Sequence, residues 1–162
     1  MVGLTHDSSH EDFRDLIEEF EGRWVSEIKI TVVDQPFGAV GETVPVTGRF
    51  IVTSDGNALL VKALAGDESI TWLVTYDAGG KRIVGLAADS LGGSEQFVFR
   101  KDESENWVRD GTGHSADGEE YSVKGTLTVS DGGDTHNWAF KVTKGGKTEE
   151  SKEVWHRVSK RP

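Results

Sequence analysis

The hydrophobic residues near the start of the chain follow a helical period. They recur at intervals of three and four positions, which puts them on one face of a helix: Phe13, Leu16, Ile17 and Phe20. Ser8 and Glu11 precede this run in the S-x-x-E spacing of a capping box, and Gly22 is a residue type that commonly ends a helix. The sequence therefore predicts a short helix over 9–21, after a loose terminus at 1–7. A single apolar face predicts that this helix lies across one end of the domain that follows, or acts as a lid that moves for a ligand.

From Trp24 onward the side chains alternate with the period of a β-strand, and turn signals rich in Gly, Asn and Asp recur at hairpin spacing. No second helix intervenes, so a parallel sheet is excluded. One longer loop containing Gly and Pro is predicted at 34–42. An up-and-down meander of this size closes into a barrel to remove its edges. We expect one all-β domain, 1–162, whose barrel spans 22–158 and contains about ten antiparallel strands, roughly at 23–33, 43–54, 58–65, 69–76, 81–89, 94–101, 106–113, 119–130, 134–143 and 147–158.

Alternation also assigns the side chains that face the inside of the barrel. This inner set is apolar and aromatic with a few polar groups, as is usual for a small-molecule site. We predict that the ligand-binding residues are Trp72, Tyr76, Phe97, Phe99, Tyr121, His136, Trp138 and Glu153. The alternative is that these side chains simply fill the interior, as they do in small barrels. The sequence leaves a filled core and a real cavity both open.

Composition narrows the classes of function. A hydrophobic content of 35% and a charged content of 28% are ordinary for a globular domain. The 28 acidic and 18 basic residues give a net charge of −10, which repels phosphate backbones and anionic lipid, so we expect no nucleic-acid or membrane partner. The chain has no Cys, which removes disulfides and thiolate chemistry. The N-terminal residues lack the basic and apolar regions of a signal peptide, so a cytoplasmic location is expected.

Residues with catalytic or metal-binding chemistry occur, but without the spacing of known sites. The five His form no H-x-H or H-E-x-x-H arrangement, and only His136 is in phase with an inward-facing set. We therefore assign no catalytic residue, no metal ligand and no cofactor. Glu153 and His136, if both face inward, could share a proton in an apolar lumen. The alternative is a buried ion pair between Glu153 and Arg157, and whether the protein is an enzyme stays open.

Four segments carry a resemblance to a known family: 21–24 after the helix, 55–62, 74–93, and 153–158 at the end of the chain. They resemble a bacterial family of unknown function in the calycin group, related to lipocalins and fatty-acid-binding proteins. The resemblance implies a lipocalin-like barrel in which Trp24 plugs one end and Arg157 packs over its ring. It implies no activity. The residues at 25–27 depart from those of haem-binding relatives, which argues against haem.

We expect a protein that binds a small apolar or aromatic molecule in the barrel lumen. Two alternatives stay open. One is a lumen-site enzyme, such as an isomerase, cyclase or hydrolase, that uses His136, Glu153 or Tyr76. The other is a filled barrel with a structural or interaction role. The sequence does not identify the ligand, and it leaves a homodimer open.

Overall fold

The computed structural model of the protein describes residues 7–30 and 38–162. The predicted loose terminus at 1–7 and the predicted loop at 34–42 therefore lie partly outside the described residues, at 1–6 and 34–37. A short 3-10 turn, Asp131–Gly133, precedes the ninth strand. The described residues form one helix and ten strands: α1 (His10–Phe20), β1 (Gly22–Lys29), β2 (Thr43–Val52), β3 (Ala58–Ala65), β4 (Glu68–Asp77), β5 (Arg82–Asp89), β6 (Ser94–Lys101), β7 (Trp107–His114), β8 (Glu120–Ser130), β9 (Thr135–Lys144) and β10 (Lys147–Ser159).

The strands form one closed barrel. Each strand pairs antiparallel with its neighbours along the chain, and β1 also pairs with β10, so the sheet closes on itself. This confirms the predicted up-and-down antiparallel barrel of about ten strands. In the part of the chain that the structure describes, no helix is long and apolar enough to cross a membrane.

The helix begins one residue later than the Ser8–Glu11 pattern predicts. Ser9 is the N-cap: its hydroxyl accepts a hydrogen bond from the Asp12 backbone N–H at 3.0 Å, and the Asp12 carboxylate accepts one from the Ser9 backbone N–H at 2.7 Å. Ser8 is instead buried, and its carbonyl oxygen accepts a hydrogen bond from the Tyr76 hydroxyl at 3.1 Å. The capping box is therefore formed by Ser9 and Asp12, because contacts with the barrel hold Ser8 outside the helix.

The apolar face of α1 covers one end of the barrel. The side chains predicted for this face are at most 6% exposed: Phe13, Leu16, Ile17 and Phe20. The Phe20 ring centroid lies 5.6 Å from that of Phe99 and 6.0 Å from that of Phe50. After the helix, Gly22 begins β1 with a φ of 134°, and a Cβ there would collide with the Ser159 carbonyl oxygen. We call the end of the barrel that α1 covers the closed end, and the opposite end the far end.

Candidate functional site

Trp24 and Arg157 join the first and last strands at the closed end. They are direct partners in the β1–β10 pair, and the Arg157 guanidinium carbon lies 4.6 Å from the Trp24 ring centroid, within cation–π range. Arg157 Nη2 also donates to the carbonyl oxygens of Glu19, at 2.6 Å, and Gly133, at 3.1 Å. The Trp24 indole donates to the Phe20 carbonyl oxygen at 2.8 Å. The predicted contact between Trp24 and Arg157 is confirmed, and it also holds the end of the helix.

His136 also lies at the closed end. Its ring centroid lies 4.0 Å from that of Trp24, and its Nε2 lies 3.1 Å from Glu19 Oε1. Burial lowers the pKa of His136, although Glu19 acts in the opposite direction. His136 and Glu153 do not share a proton, since each forms its hydrogen bond with another residue.

The residues predicted for the ligand site divide into two groups along the barrel axis. The Tyr76 ring centroid lies 5.4 Å from that of His10 in α1, and the Trp138 ring centroid lies 6.3 Å from that of Phe20. One group packs against the helix and forms the floor of the lumen: Tyr76, Phe99, His136 and Trp138. A residue above the floor is one that lies farther from α1. The other group stands on strand positions farther from α1: Trp72, Phe97, Tyr121 and Glu153.

Aromatic rings in the middle of the barrel lie against the wall, over glycines of neighbouring strands. A Cβ on Gly85 would collide with the Phe97 ring, and a Cβ on Gly125 would lie 2.5 Å from the Phe140 ring. These rings occupy the space that a side chain at the glycine would fill. They consequently project less toward the barrel axis.

Several inward-facing side chains above the floor are partly exposed. Trp72 is partly exposed although it is in phase with the fully buried Val74 on β4. The same is true of further aromatic side chains on the inner face: Tyr121, Phe140 and Trp155. The floor differs, since Phe99 is only 1% exposed. Partly exposed aromatic surface therefore lies on the inner face above the floor, although Phe97 on the same side is only 3% exposed.

A buried ion pair crosses this part of the lumen. Arg109, on β7, is 5% exposed, and its Nη2 lies 2.5 Å from Glu95 Oε1 on β6. The Tyr121 hydroxyl donates to Glu95 Oε2 at 3.0 Å, and burial together with the Glu95 charge raises the pKa of this phenol. The Arg109 guanidinium carbon lies 4.8 Å from the Trp72 ring centroid and 4.4 Å from that of Phe97. Polar and aromatic groups from β4, β6, β7 and β8 thus meet inside the barrel.

Two further carboxyl groups face the lumen. Glu153 Oε2 accepts a hydrogen bond from the Trp155 indole at 3.1 Å, and burial raises the pKa of Glu153. Glu68 is 5% exposed, and its Oε2 has no hydrogen-bond partner among the residues that the structure describes. Burial, with the nearby charge of Asp89, raises the pKa of Glu68.

The expected ion pair between Glu153 and Arg157 is absent from the described contacts. The two residues are four positions apart on one strand, which is about 13 Å. The Arg157 guanidinium is held at the closed end by the backbone of Glu19 and Gly133. The Glu153 carboxyl group lies on the far-end side of Trp155 and is within electrostatic range of Arg109.

The sequence reasoning did not single out Glu68, Glu95 or Arg109. Strand phase is the signal that could have found them. Arg109 is in phase with Trp107 on β7, and Glu68 is in phase with Trp72 on β4, so each pair shares one face of its strand. A charged residue in a strand is normally taken as solvent-facing, so this phase is easily disregarded. The described residues contain no group of three or more His, Asp or Glu side chains arranged to hold a metal ion.

A surface depression lies on the outer wall and is separate from the lumen. Its volume is about 750 Å³, and outward-facing residues of β4 to β10 line most of it, including Leu73, Leu86 and Lys124. It is an open trough, and Leu73 and Leu86 are about half exposed, at 47% and 55%. Ligand sites are normally concave enough to bury most of the ligand. The open trough does not meet that requirement.

The chain matches no protein-family model, and the search of curated proteins finds no match. The closed ten-stranded barrel with one short helix is consistent with a calycin-like fold.

Proposed function

We propose that the protein binds a small aromatic or apolar molecule in the lumen, between the floor and the far end. One observation carries the proposal. Trp72, Phe140 and Trp155 face inward and are partly exposed, whereas three of the four floor residues, Phe99, His136 and Trp138, are at most 7% exposed. A partly exposed aromatic surface inside a barrel is the kind of surface that apolar ligands cover.

The two groups of predicted site residues have different proposed roles. Trp72, Phe97, Tyr121 and Glu153 would contact the ligand, because they stand above the floor. Tyr76, Phe99, His136 and Trp138 would support the site from below: Tyr76 through its bond to Ser8, and His136 through its contacts with Trp24 and Glu19. We thus assign lipocalin-like ligand binding to the part of the lumen between the floor and the far end.

Binding of an uncharged solvatochromic dye tests the proposal. Nile red should gain fluorescence on binding and quench part of the tryptophan emission. Ala87 faces inward between Trp72 and Glu95, whereas its neighbour Ala88 faces outward and is exposed. Ala87→Leu should weaken dye binding by roughly tenfold or more, because it fills the site. Ala88→Leu is the matched control and should leave dye binding unchanged.

Two results would contradict the lumen site. If Ala87→Leu and Ala88→Leu both bind the dye as the wild-type protein does, and Leu86→Gln does not bind it, the dye lies in the outer trough. Failure of Nile red to bind the wild-type protein would favour the filled-barrel alternative. Thermal unfolding of each variant shows whether the fold is kept.

A further inference from the structure

The lumen above the floor carries more acidic than basic groups. We call the following set the polar layer: Glu68, Asp89, Glu95, Arg109, Tyr121 and Glu153. Electrostatic interactions link the members one to the next: Asp89 acts on Glu68 and on Tyr121, and Arg109 acts on Tyr121 and on Glu153. Four of the groups are carboxyls and one is a guanidinium. This layer lies against the aromatic rings of Trp72 and Phe97.

The one guanidinium in the layer is already neutralised. Arg109 forms its ion pair with Glu95, and Tyr121 donates a further hydrogen bond to the same carboxylate. Lys144, on the inner face of β9 near the far end, is held by Asp117 at 3.0 Å and Glu119 at 3.5 Å. These two cations therefore leave the remaining carboxyls of the layer unpaired.

Glu68 is the group that most clearly lacks a partner. It stands on β4 in phase with Trp72 and Val74, so it faces the lumen, and it is 5% exposed. Asp89, its acidic neighbour, already accepts hydrogen bonds from the backbone N–H groups of Leu91 and Gly93. Glu68 Oε2 accepts none from any residue described. A buried carboxyl oxygen without a donor is costly, and a donor or cation brought by a ligand would remove that cost.

Glu153 provides a second acidic group in the same layer. Its single hydrogen bond is from the Trp155 indole at 3.1 Å, and no basic side chain in the described part of the chain forms an ion pair with it. Burial raises the pKa of both Glu68 and Glu153. A bound cation would act in the opposite direction and favour their charged forms.

We propose that the ligand carries a protonated amine on its aromatic or apolar body, and that Glu68 and Glu153 recognise the positive charge. This inference rests on the lumen site of the proposed function and specifies its ligand class. The alternative is an anionic ligand, which Arg109 would bind, because Arg109 Nε also has no hydrogen-bond partner in the described residues. An anion at that position would face Glu95 directly, with Glu153 and Asp89 in range, so the layer favours the cation.

Three molecules that share one ring system and differ in charge test the inference: naphthylmethylamine, naphthylmethanol and naphthoate. Their dissociation constants are measured by calorimetry at about 0.15 M salt, which screens the general attraction of an acidic protein for cations. The amine should bind roughly 10- to 100-fold more tightly than the alcohol, as expected for a charge-assisted hydrogen bond, and naphthoate should bind most weakly.

Variants then locate the charge that gives the preference. Glu68→Gln and Glu153→Gln should each weaken amine binding by about tenfold and leave alcohol binding unchanged. Glu150→Gln is the matched control: it removes the same charge from the outer face of β10, where the Glu150 side chain is 71% exposed, and it should not change the preference. Without ligand, Glu68→Gln should unfold at the same temperature as the wild type or higher, because a buried unpaired carboxyl is removed.

The outcomes separate this inference from the proposed function. Equal binding of amine and alcohol, or tightest binding of naphthoate, would overturn the amine specificity and leave the lumen site standing. An amine preference that survives both inner variants, or that is lost in Glu150→Gln, would overturn the assignment of Glu68 and Glu153. If none of the three molecules binds, the proposed function itself fails and the inference fails with it.

Discussion

Arg157 is the side chain on which most of the closed end depends. It covers Trp24 and binds the backbone carbonyls of Glu19 and Gly133, although it lies far from both in sequence. Arg157→Ala should lower the free energy of unfolding by about 1–3 kcal/mol, because partly buried acceptors lose their donor. Urea unfolding measures the change. Lys152→Ala, at an exposed position on the same strand, should cost less than about 0.5 kcal/mol, and equal costs for the two variants would contradict this role.

His136 should make stability depend on pH. Burial lowers the pKa of His136 from its ordinary value of 6.5, so the unfolded chain binds this proton more readily than the folded protein does. Stability contributed by neutral His136 is therefore present above pH 6.5 and is lost as the pH falls below it. His136→Gln should reduce the fall in unfolding temperature between about pH 7 and pH 5.5. His156→Gln, at an exposed position, should keep the wild-type pH dependence; if both variants keep it, the stability change comes from other groups.

Side-chain direction was easier to predict from the sequence than side-chain partners. Alternation correctly indicated that His136 and Glu153 face inward, yet their partners are Glu19 and Trp155. A hydrogen-bond partner depends on strand register and on helix placement, which alternation does not specify. Ser8 and Ser9 show the same limit, since each is followed three residues later by an acidic residue and only the packed structure selects Ser9.

The helix is the element whose role follows most directly from its sequence pattern. All four residues of its apolar face are buried against the barrel end. Leu16→Ala should lower the free energy of unfolding by about 2–5 kcal/mol, because it leaves a cavity beneath the helix. Arg14→Ala, on the exposed face of α1, should change it by less than about 0.5 kcal/mol.

Denaturant unfolding and ligand uptake together decide between a fixed cover and a lid. A fixed cover predicts that Leu16→Ala loses stability and that its rate of Nile red uptake equals that of the wild type. Unchanged stability with faster dye uptake would instead identify α1 as a moving lid.

The strands were predictable as elements because their turns are well marked. The predicted ranges for β3, β5 and β6 match the structure to within one residue, since Gly- or Asp-containing turns bound each of them. Part of the connection after β1, 31–37, lies outside the described residues.

At the scale of the whole barrel, the wall glycines and the rings above them determine the shape of the lumen. Gly125→Ala should push the Phe140 ring toward the barrel axis, because the new Cβ would lie 2.5 Å from it. Nile red affinity should fall by roughly threefold or more, with the barrel still folded. Gly79→Ala, where the nearest atom would be 3.5 Å away at a surface turn, is the control. Undiminished dye binding in Gly125→Ala would show that the ring does not border the site.

The polar layer was the least predictable part of the molecule. The buried pair of Glu95 and Arg109 depends on the pairing of β6 with β7, and Glu68 becomes unusual only through its burial at the far end. The aromatic residues Trp72, Phe97 and Tyr121 could be placed inward from alternation alone. The charged residues between them have the same strand phase, but a charge on a strand is normally taken as solvent-facing, so this phase is easily disregarded for Glu68, Glu95 and Arg109.

The pairing of β1 with β10 has a consequence for how the chain acquires its structure over time. Position 24 meets position 157, so the barrel cannot close before nearly the whole chain is available. During synthesis β1 can pair with β2 early, but its other edge must wait for the last strand. Closure is therefore expected to be a late event in folding, and Arg157 shields Trp24 only once it has occurred.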